Sequence, residues 1–149
     1  MPTVEKVART DAGLASELRL SVMRLRRRLA VERHPDNELS MNAMAVLGAL
    51  HRYGDLSVGD LAARERVRPP SMTRTVNSLV EGGYATRRRH ESDGRQVVVA
   101  LTDRGRSTLR ADRARRDEWL ATRLRDLTPD DRAALRRAAP ILERLASDE

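Results

Sequence analysis

The sequence predicts a mainly α-helical protein with one small β-hairpin, ordered as helix, turn, helix and two-stranded wing between longer flanking helices. Three observations carry that reading. Apolar residues recur at helical spacing through most of the chain, Arg68 to Gly83 is marked as a helix at both ends, and only Tyr84 to Leu101 has the composition of strands.

Residues 1–9 show no periodicity and are expected to form a mobile tail. Thr10 or Asp11 then offers an N-cap, and Leu14, Leu18, Val22, Leu25 and Leu29 make one apolar stripe on a helix of about five turns. His34-Pro-Asp-Asn-Glu38 breaks it. Ser40 can cap a second helix with Ala43, Met44, Leu47 and Leu50 on its core face, which Tyr53-Gly-Asp55 ends. Ser57-Val-Gly-Asp60 has the layout of a capping box, and Leu61 and Ala62 follow as the buried side of a short helix. The next helix opens on Pro69-Pro70, tolerated only in a first turn, and closes on Gly82-Gly83. Tyr84–Arg87 and Gln96–Leu101 read as strands, with Asp93-Gly94 as the hairpin turn signal. Thr102 can cap a long helix carrying Leu109, Leu120, Leu124 and Leu127. Thr128-Pro-Asp-Asp131 caps a last one with Leu135, Leu142 and Leu145, in which Pro140 should introduce a kink.

Within the helix after Pro69, Met72, Val76, Leu79 and Val80 form one buried stripe, which turns Pro70, Ser71, Arg74, Asn77 and Ser78, with Thr73 beside them, to the outside. Their hydroxyl, amide and guanidinium groups are those that reach phosphates and base edges in a DNA major groove, so this is a candidate recognition helix. The hairpin adds Arg87, Arg88, Arg89 and Arg95. Charge placement agrees. From Arg64 to Arg89 seven arginines face two acids, whereas Asp103 to Glu149 sets twelve arginines against ten acids; the whole chain carries +7. Because 28 of the 29 basic residues are arginine, genome-wide codon bias could account for the total but not for its local excess.

Several classes are excluded or disfavoured. Zero cysteines rule out disulfides, thiolate metal sites and thiol catalysis, and they fit a cytoplasmic protein. No apolar run approaches the roughly 18 residues of a membrane helix, so no membrane partner is expected. With Tyr53, Tyr84 and Trp119 as the only aromatics, base-stacking modes of single-strand and RNA binding are disfavoured. His90-Glu91-Ser92-Asp93 lacks a second histidine at ligand spacing, so neither a metal nor a cofactor is expected. No phosphate loop, nucleophile elbow or zinc-protease helix is present, and an enzyme is not expected.

The chain resembles the multiple-antibiotic-resistance regulators, the MarR family of winged helix-turn-helix transcription factors, over nearly its whole length. The resemblance is most specific in Leu79-Val-Glu-Gly-Gly-Tyr-Ala-Thr-Arg87 and in Asp93-Gly-Arg95 followed by Leu101-Thr-Asp-Arg-Gly105. It implies one domain over 1–149, with a winged helix-turn-helix at 40–102 and a helical dimerisation region at 10–33 and 103–147. By the same resemblance Arg95 enters a minor groove, Asp93 steadies it and Arg74 is a recognition-helix contact. Pro69-Pro70, the Arg87-Arg88-Arg89 run and Pro140 depart from the family pattern. The implied function is sequence-specific binding of double-stranded DNA by a homodimeric regulator, a repressor on a palindromic operator. A small-molecule effector is implied at the junction of the two regions, with Met44, His51 and Trp119 as candidate lining residues. An architectural DNA binder with little sequence preference, or a winged helix used only for protein interaction, are the alternatives.

Overall fold

Helices in this protein start where a hydroxyl can take a free N–H. The computed structural model describes residues 10–147, so the expected tail over 1–9 lies outside the described residues. Thr10 Oγ1 accepts from the Gly13 N–H (3.1 Å) and opens α1, Asp11–Ala30. Ser40 Oγ accepts from Ala43 (3.0 Å) to open α2, Met41–Tyr53, which Gly54 ends at φ +83°. Ser57 accepts from Asp60 (3.1 Å) and opens α3, Val58–Glu65. Only α4, Pro69–Glu81, lacks such a side-chain cap among the described helices, and there prolines occupy its first turn and leave fewer N–H groups to satisfy. Thr102 accepts from Gly105 (3.2 Å) ahead of α5, Asp103–Arg125, and Thr128 from Asp131 (3.1 Å) ahead of α6, Pro129–Ala146.

The described chain divides into two compact units, one of them Arg33–Arg113 and the other the described parts of Met1–Glu32 and Ala114–Glu149. In the first, α2, α3 and α4 pack on one another and on the sheet, with Val46, Leu47, Leu61, Met72, Val76, Leu79 and Val99 almost fully buried. The core face expected for α2 is present and wider than its four residues, since Val46 and Ala49 are buried too. Val80, the last member of the expected α4 stripe, is partly buried against the same core. This unit takes in α5 as far as Arg113. Leu109 and Asp112 are the reason. Leu109 joins the core, and the fully buried Asp112 carboxylate accepts from the His34 backbone N–H (2.9 Å) and Asn37 Nδ2 (2.7 Å), with Arg33 Nε at 3.8 Å. The break after α1 is thereby tied to α5.

β1, Ala85–Arg89, and β2, Val97–Leu101, pair antiparallel with Ala85 opposite Leu101 and Arg89 opposite Val97. Leu56 adds a one-residue bridge to Val99 through two backbone hydrogen bonds (3.2 and 2.7 Å), which the sequence pattern did not suggest. Asp93-Gly94 opens a hydrogen-bonded turn within the hairpin connection, though not a two-residue hairpin turn with these two residues at its centre. A two-residue type I′ turn needs φ above zero at both centres, yet the described residues with positive φ are Gly54, Arg66 and Gly83. The connection runs instead over residues 90–96, closed by His90 N–H to Gln96 C=O (2.8 Å) and Gln96 N–H to Asp93 C=O (3.0 Å).

In the second unit the apolar stripes have little to cover them. Leu14, Val22 and Leu25 of α1 are exposed and Leu18 and Leu29 half-buried, while α6 buries no residue and leaves Leu135, Ile141, Leu142 and Leu145 exposed. Arg116 Nε donates to the Leu29 carbonyl (3.2 Å), and Arg132 Nη1 caps the end of α5 through the carbonyls of Leu124, Arg125 and Leu127. Pro140 lies inside α6, which continues to Ala146.

Candidate DNA-binding site

The turn between α3 and α4 is short because Arg66 takes the left-handed conformation (φ +53°), returning its N–H to the carbonyls of Ala62 and Ala63 at the end of α3. Extended Arg68 then leads into the prolines. α4 buries Met72, Val76 and Leu79 and so leaves Pro70, Ser71, Thr73, Arg74, Asn77 and Ser78 exposed on its other side. All six expected recognition-helix contacts therefore share the outer face. They are not equivalent. The Thr73 hydroxyl donates back to the Pro69 carbonyl (3.0 Å), so its proton is already used within the helix. The Arg74 guanidinium has no hydrogen bond or ion pair among the described residues and is free to reach an external acceptor.

The wing leaves the recognition helix through a junction that explains the specific motifs. At the end of α4 the Tyr84 N–H bonds to Leu79 C=O (2.9 Å) and the Gly83 N–H to Val80 C=O (3.0 Å), with Gly83 at φ +80°. This is the Schellman pattern, which a residue without Cβ adopts most easily. α5 then locks it. Thr102 Oγ1 donates to Gly83 C=O (2.6 Å), Arg104 donates to Gly82 C=O (2.7 Å) and to the Tyr84 hydroxyl (3.2 Å), and its guanidinium lies 4.4 Å from the Tyr84 ring centre. Gly105 is required by space, because a Cβ there would stand 2.2 Å from the Tyr84 carbonyl oxygen. The two motif segments are thus the two sides of one joint, and the joint sets the direction in which the wing departs.

On the wing the four expected arginines separate into different roles. Arg87 donates to Asn77 Oδ1 on the recognition helix. Arg88 is paired with Asp55, next to the Leu56 bridge, and lies 3.6 Å from Glu91, so its charge is partly answered within the protein. Arg89 donates to the Gly94 carbonyl (3.3 Å) and holds the wing loop. Arg95 extends from that loop with its guanidinium unpartnered among the described residues. Asp93 accepts from the Arg95 backbone N–H (3.1 Å). It steadies the backbone that carries the arginine, and no Asp93–Arg95 ion pair is present among the described residues. Residues 90–93 form the base of the loop: His90 Nδ1 takes the N–H groups of Ser92 and Asp93 (3.2 Å each). Among the described residues no cluster of three or more His, Cys, Asp or Glu could hold a metal ion.

The candidate effector residues fall in different local surroundings. Met44 is buried in the core of the first unit, its sulfur 3.4 Å from Asn37 Nδ2. His51 is exposed beside an open depression of about 650 Å³ shared with Gly48, Arg52 and Tyr53. Trp119 belongs to the other unit, where Arg28 and Arg123 lie over its ring (4.7 and 3.9 Å) and it borders a separate depression of about 370 Å³ with Glu32 and Glu118. Sequence reasoning did not anticipate Asp55, Arg104, Gly105 or Asp112 in their positioning roles. Gly105 and Arg104 were visible only as parts of the motif; nothing local singles out Asp55 or Asp112.

A helix-turn-helix whose second helix turns a polar, arginine-bearing face outward, joined rigidly to a basic hairpin, defines a winged-helix DNA-binding regulator. The family model described as MarR family matches residues 37–96. The HTH-type transcriptional regulator MT0903.1 of Mycobacterium tuberculosis is 44% identical over 139 residues, covering 93% of this chain and 96% of that protein. A solved Pseudomonas aeruginosa structure, named for a transcriptional regulator, is 35% identical with a TM-score of 0.83, and the match covers 99% of each chain. FabT of Streptococcus pneumoniae, solved in complex with DNA, shares the fold at 19% identity and a TM-score of 0.66, covering 91% of this chain and 96% of FabT. The chain belongs to the MarR family of helix-turn-helix transcriptional regulators. It is accordingly a regulator and not an enzyme, and no helix among the described residues is long and apolar enough to cross a membrane.

Proposed function

We propose that this protein is a cytoplasmic, homodimeric repressor that binds a palindromic operator in double-stranded DNA, with α4 reading the major groove and Arg95 entering the adjacent minor groove. The observation that carries the reading is the pair of unpartnered guanidinium groups, Arg74 on the outer face of α4 and Arg95 at the wing tip, on a joint that holds helix and hairpin in one geometry. An arginine spent on no internal acceptor in a stretch of arginine excess suits phosphate or guanine. The FabT complex with DNA supports the same use of this fold. The exposed leucines of α1 and α6 support a second copy as their cover, since each helix carries several large apolar side chains that the single chain does not bury.

Selection of sites from random double-stranded DNA with the pure protein, followed by footprinting, tests the proposal. The expected product is an inverted repeat with half-site centres about 10 to 10.5 base pairs apart or a multiple of that. Recovery of no common sequence, with binding that depends on salt alone, favours the architectural alternative; no binding at low salt favours a protein-interaction module. Release from the operator is assigned to a small-molecule effector because the chain offers no thiol for oxidation. Titration of aromatic acids and hydrophobic compounds against the complex, with peroxide as control, checks that assignment. Release by peroxide without protein damage would refute it.

A further inference from the structure

The contact between Arg87 and Asn77 has a chemical consequence for what the recognition helix can read. A guanidinium carries donors and no acceptor, so the atom of Asn77 that faces Arg87 has to be the carbonyl oxygen Oδ1; the amide Nδ2, with its two N–H groups, makes no hydrogen bond among the described residues. The direction of the amide therefore follows from the partner's chemistry. Both residues are exposed on the face shared by α4 and β1, and the joint at Gly83, Thr102 and Arg104 holds that face together.

We propose that Arg87 is a specificity-determining positioning residue that fixes the amide of Asn77 and biases it from reading by donor and acceptor together toward reading by donation. A free asparagine pairs with adenine in two bonds, Oδ1 accepting from N6 and Nδ2 donating to N7. With one lone pair of Oδ1 held by Arg87 and a cation beside it, the oxygen is a poorer acceptor for N6–H and the amide N–H a better donor, so the donating half dominates. Asn77 then selects a base edge rich in acceptors, guanine through O6 and N7 or thymine through O4, and adenine loses its advantage at that position. Ser78 and Arg74, neighbours on the same face, do not alter this, because neither makes a hydrogen bond to Asn77. Arg87 is thus assigned a role on the wing different from that of Arg95. It acts through another side chain and needs no base contact of its own.

This inference rests on the proposed sequence-specific binding, and its test separates the two. Site selection is run in parallel on the unaltered protein, Arg87→Ala, Arg87→Lys, Asn77→Ala and the double variant Arg87→Ala/Asn77→Ala, each checked for folding by circular dichroism. The position read by Asn77 is the one whose base preference disappears in Asn77→Ala. At that position the unaltered protein is expected to favour G or T, Arg87→Ala to move the preference toward A by roughly tenfold in the A-to-G ratio, and Arg87→Lys, which keeps a donor for Oδ1, to retain G or T. The double variant should show no preference there. A uniform loss of affinity in Arg87→Ala with the same base at every position would overturn the proposal, as would an Asn77-dependent preference for A in the unaltered protein, the outcome if a phosphate draws Arg87 away. Failure of the unaltered protein to select any sequence would instead overturn the underlying reading of a sequence-specific regulator.

Discussion

Single atoms decide more in the joint between recognition helix and wing than in the recognition helix itself. Gly105 has no room for a methyl group, since its Cβ would fall 2.2 Å from a backbone oxygen that cannot rotate away. Gly105→Ala is expected to destabilise the fold by about 1 to 3 kcal/mol, the usual cost of forced overpacking, measured as a lower urea midpoint at unchanged slope. Arg74 and Arg95 present the opposite case, being exposed and unpartnered, so their removal should leave the urea midpoint in place and act on DNA alone. If Arg74 reads a base, Arg74→Ala should cost about 1 to 3 kcal/mol at one position of each half-site and relax selectivity there. Arg95→Ala should weaken sites with narrow A·T tracts most, because the narrow minor groove concentrates the negative potential that attracts arginine. Equal losses on operator and random DNA for Arg74→Ala would assign it to phosphate instead.

Among the elements, the segment between α1 and α2 is held by one buried carboxylate. Asp112 of α5 accepts from His34 and Asn37 and lies 3.8 Å from Arg33 Nε, so two hydrogen bonds and one ion pair depend on it. Asp112→Ala would remove the acceptor of both part-buried hydrogen bonds and the counter-charge of Arg33 and is expected to cost about 1 to 3 kcal/mol, with Asp112→Asn losing less because one oxygen survives. Hydrogen exchange should show the added opening at residues 33–39; unchanged protection there would mean that the segment is held by other contacts. The wing loop is a second test at this scale. Replacing residues 90–96 by a two-residue Asn-Gly turn keeps the β1–β2 register and removes Arg95 and its Asp93 support, so the variant should fold and lose the preference for A·T flanks. Retained preference would move minor-groove reading away from the wing.

At the scale of the whole molecule, the proposed dimer turns the exposed leucines of α1 and α6 from a solubility problem into an interface. Leu142→Glu with Leu145→Glu places charge on α6 where no residue is buried within the single chain, so the monomer should be little affected. The expected result is a monomer by analytical ultracentrifugation, loss of the concentration dependence of thermal unfolding, and loss of high-affinity operator binding, because a lone half-site contact cannot use the palindrome. A doubly substituted protein that remains a dimer would place the interface elsewhere.

Much of this protein was legible from local chemistry. Hydroxyl caps, paired prolines at one helix start, glycines at its end and helical spacing of leucines depend on residues a few positions apart, and Thr10, Ser40, Ser57, Thr102 and Thr128 all cap as expected. The outer face of α4 was legible for the same reason, since burying Met72, Val76 and Leu79 fixes where the other residues point. What only the tertiary structure decided are pairings between distant residues. The Leu56 bridge to Val99, the Asp112 anchor, the Arg88–Asp55 pair and the Arg87–Asn77 contact join positions that no periodicity relates. The shape of the wing loop belongs with them. Asp93-Gly94 does open a local turn closed by Gln96, but that turn sits in a longer connection over residues 90–96, where His90 and Arg89 make further contacts to the loop backbone. Local propensity sets which conformations a segment can adopt at low cost; contacts across the fold select among them, and in this chain they also divide the wing arginines between holding the protein together and reaching beyond it.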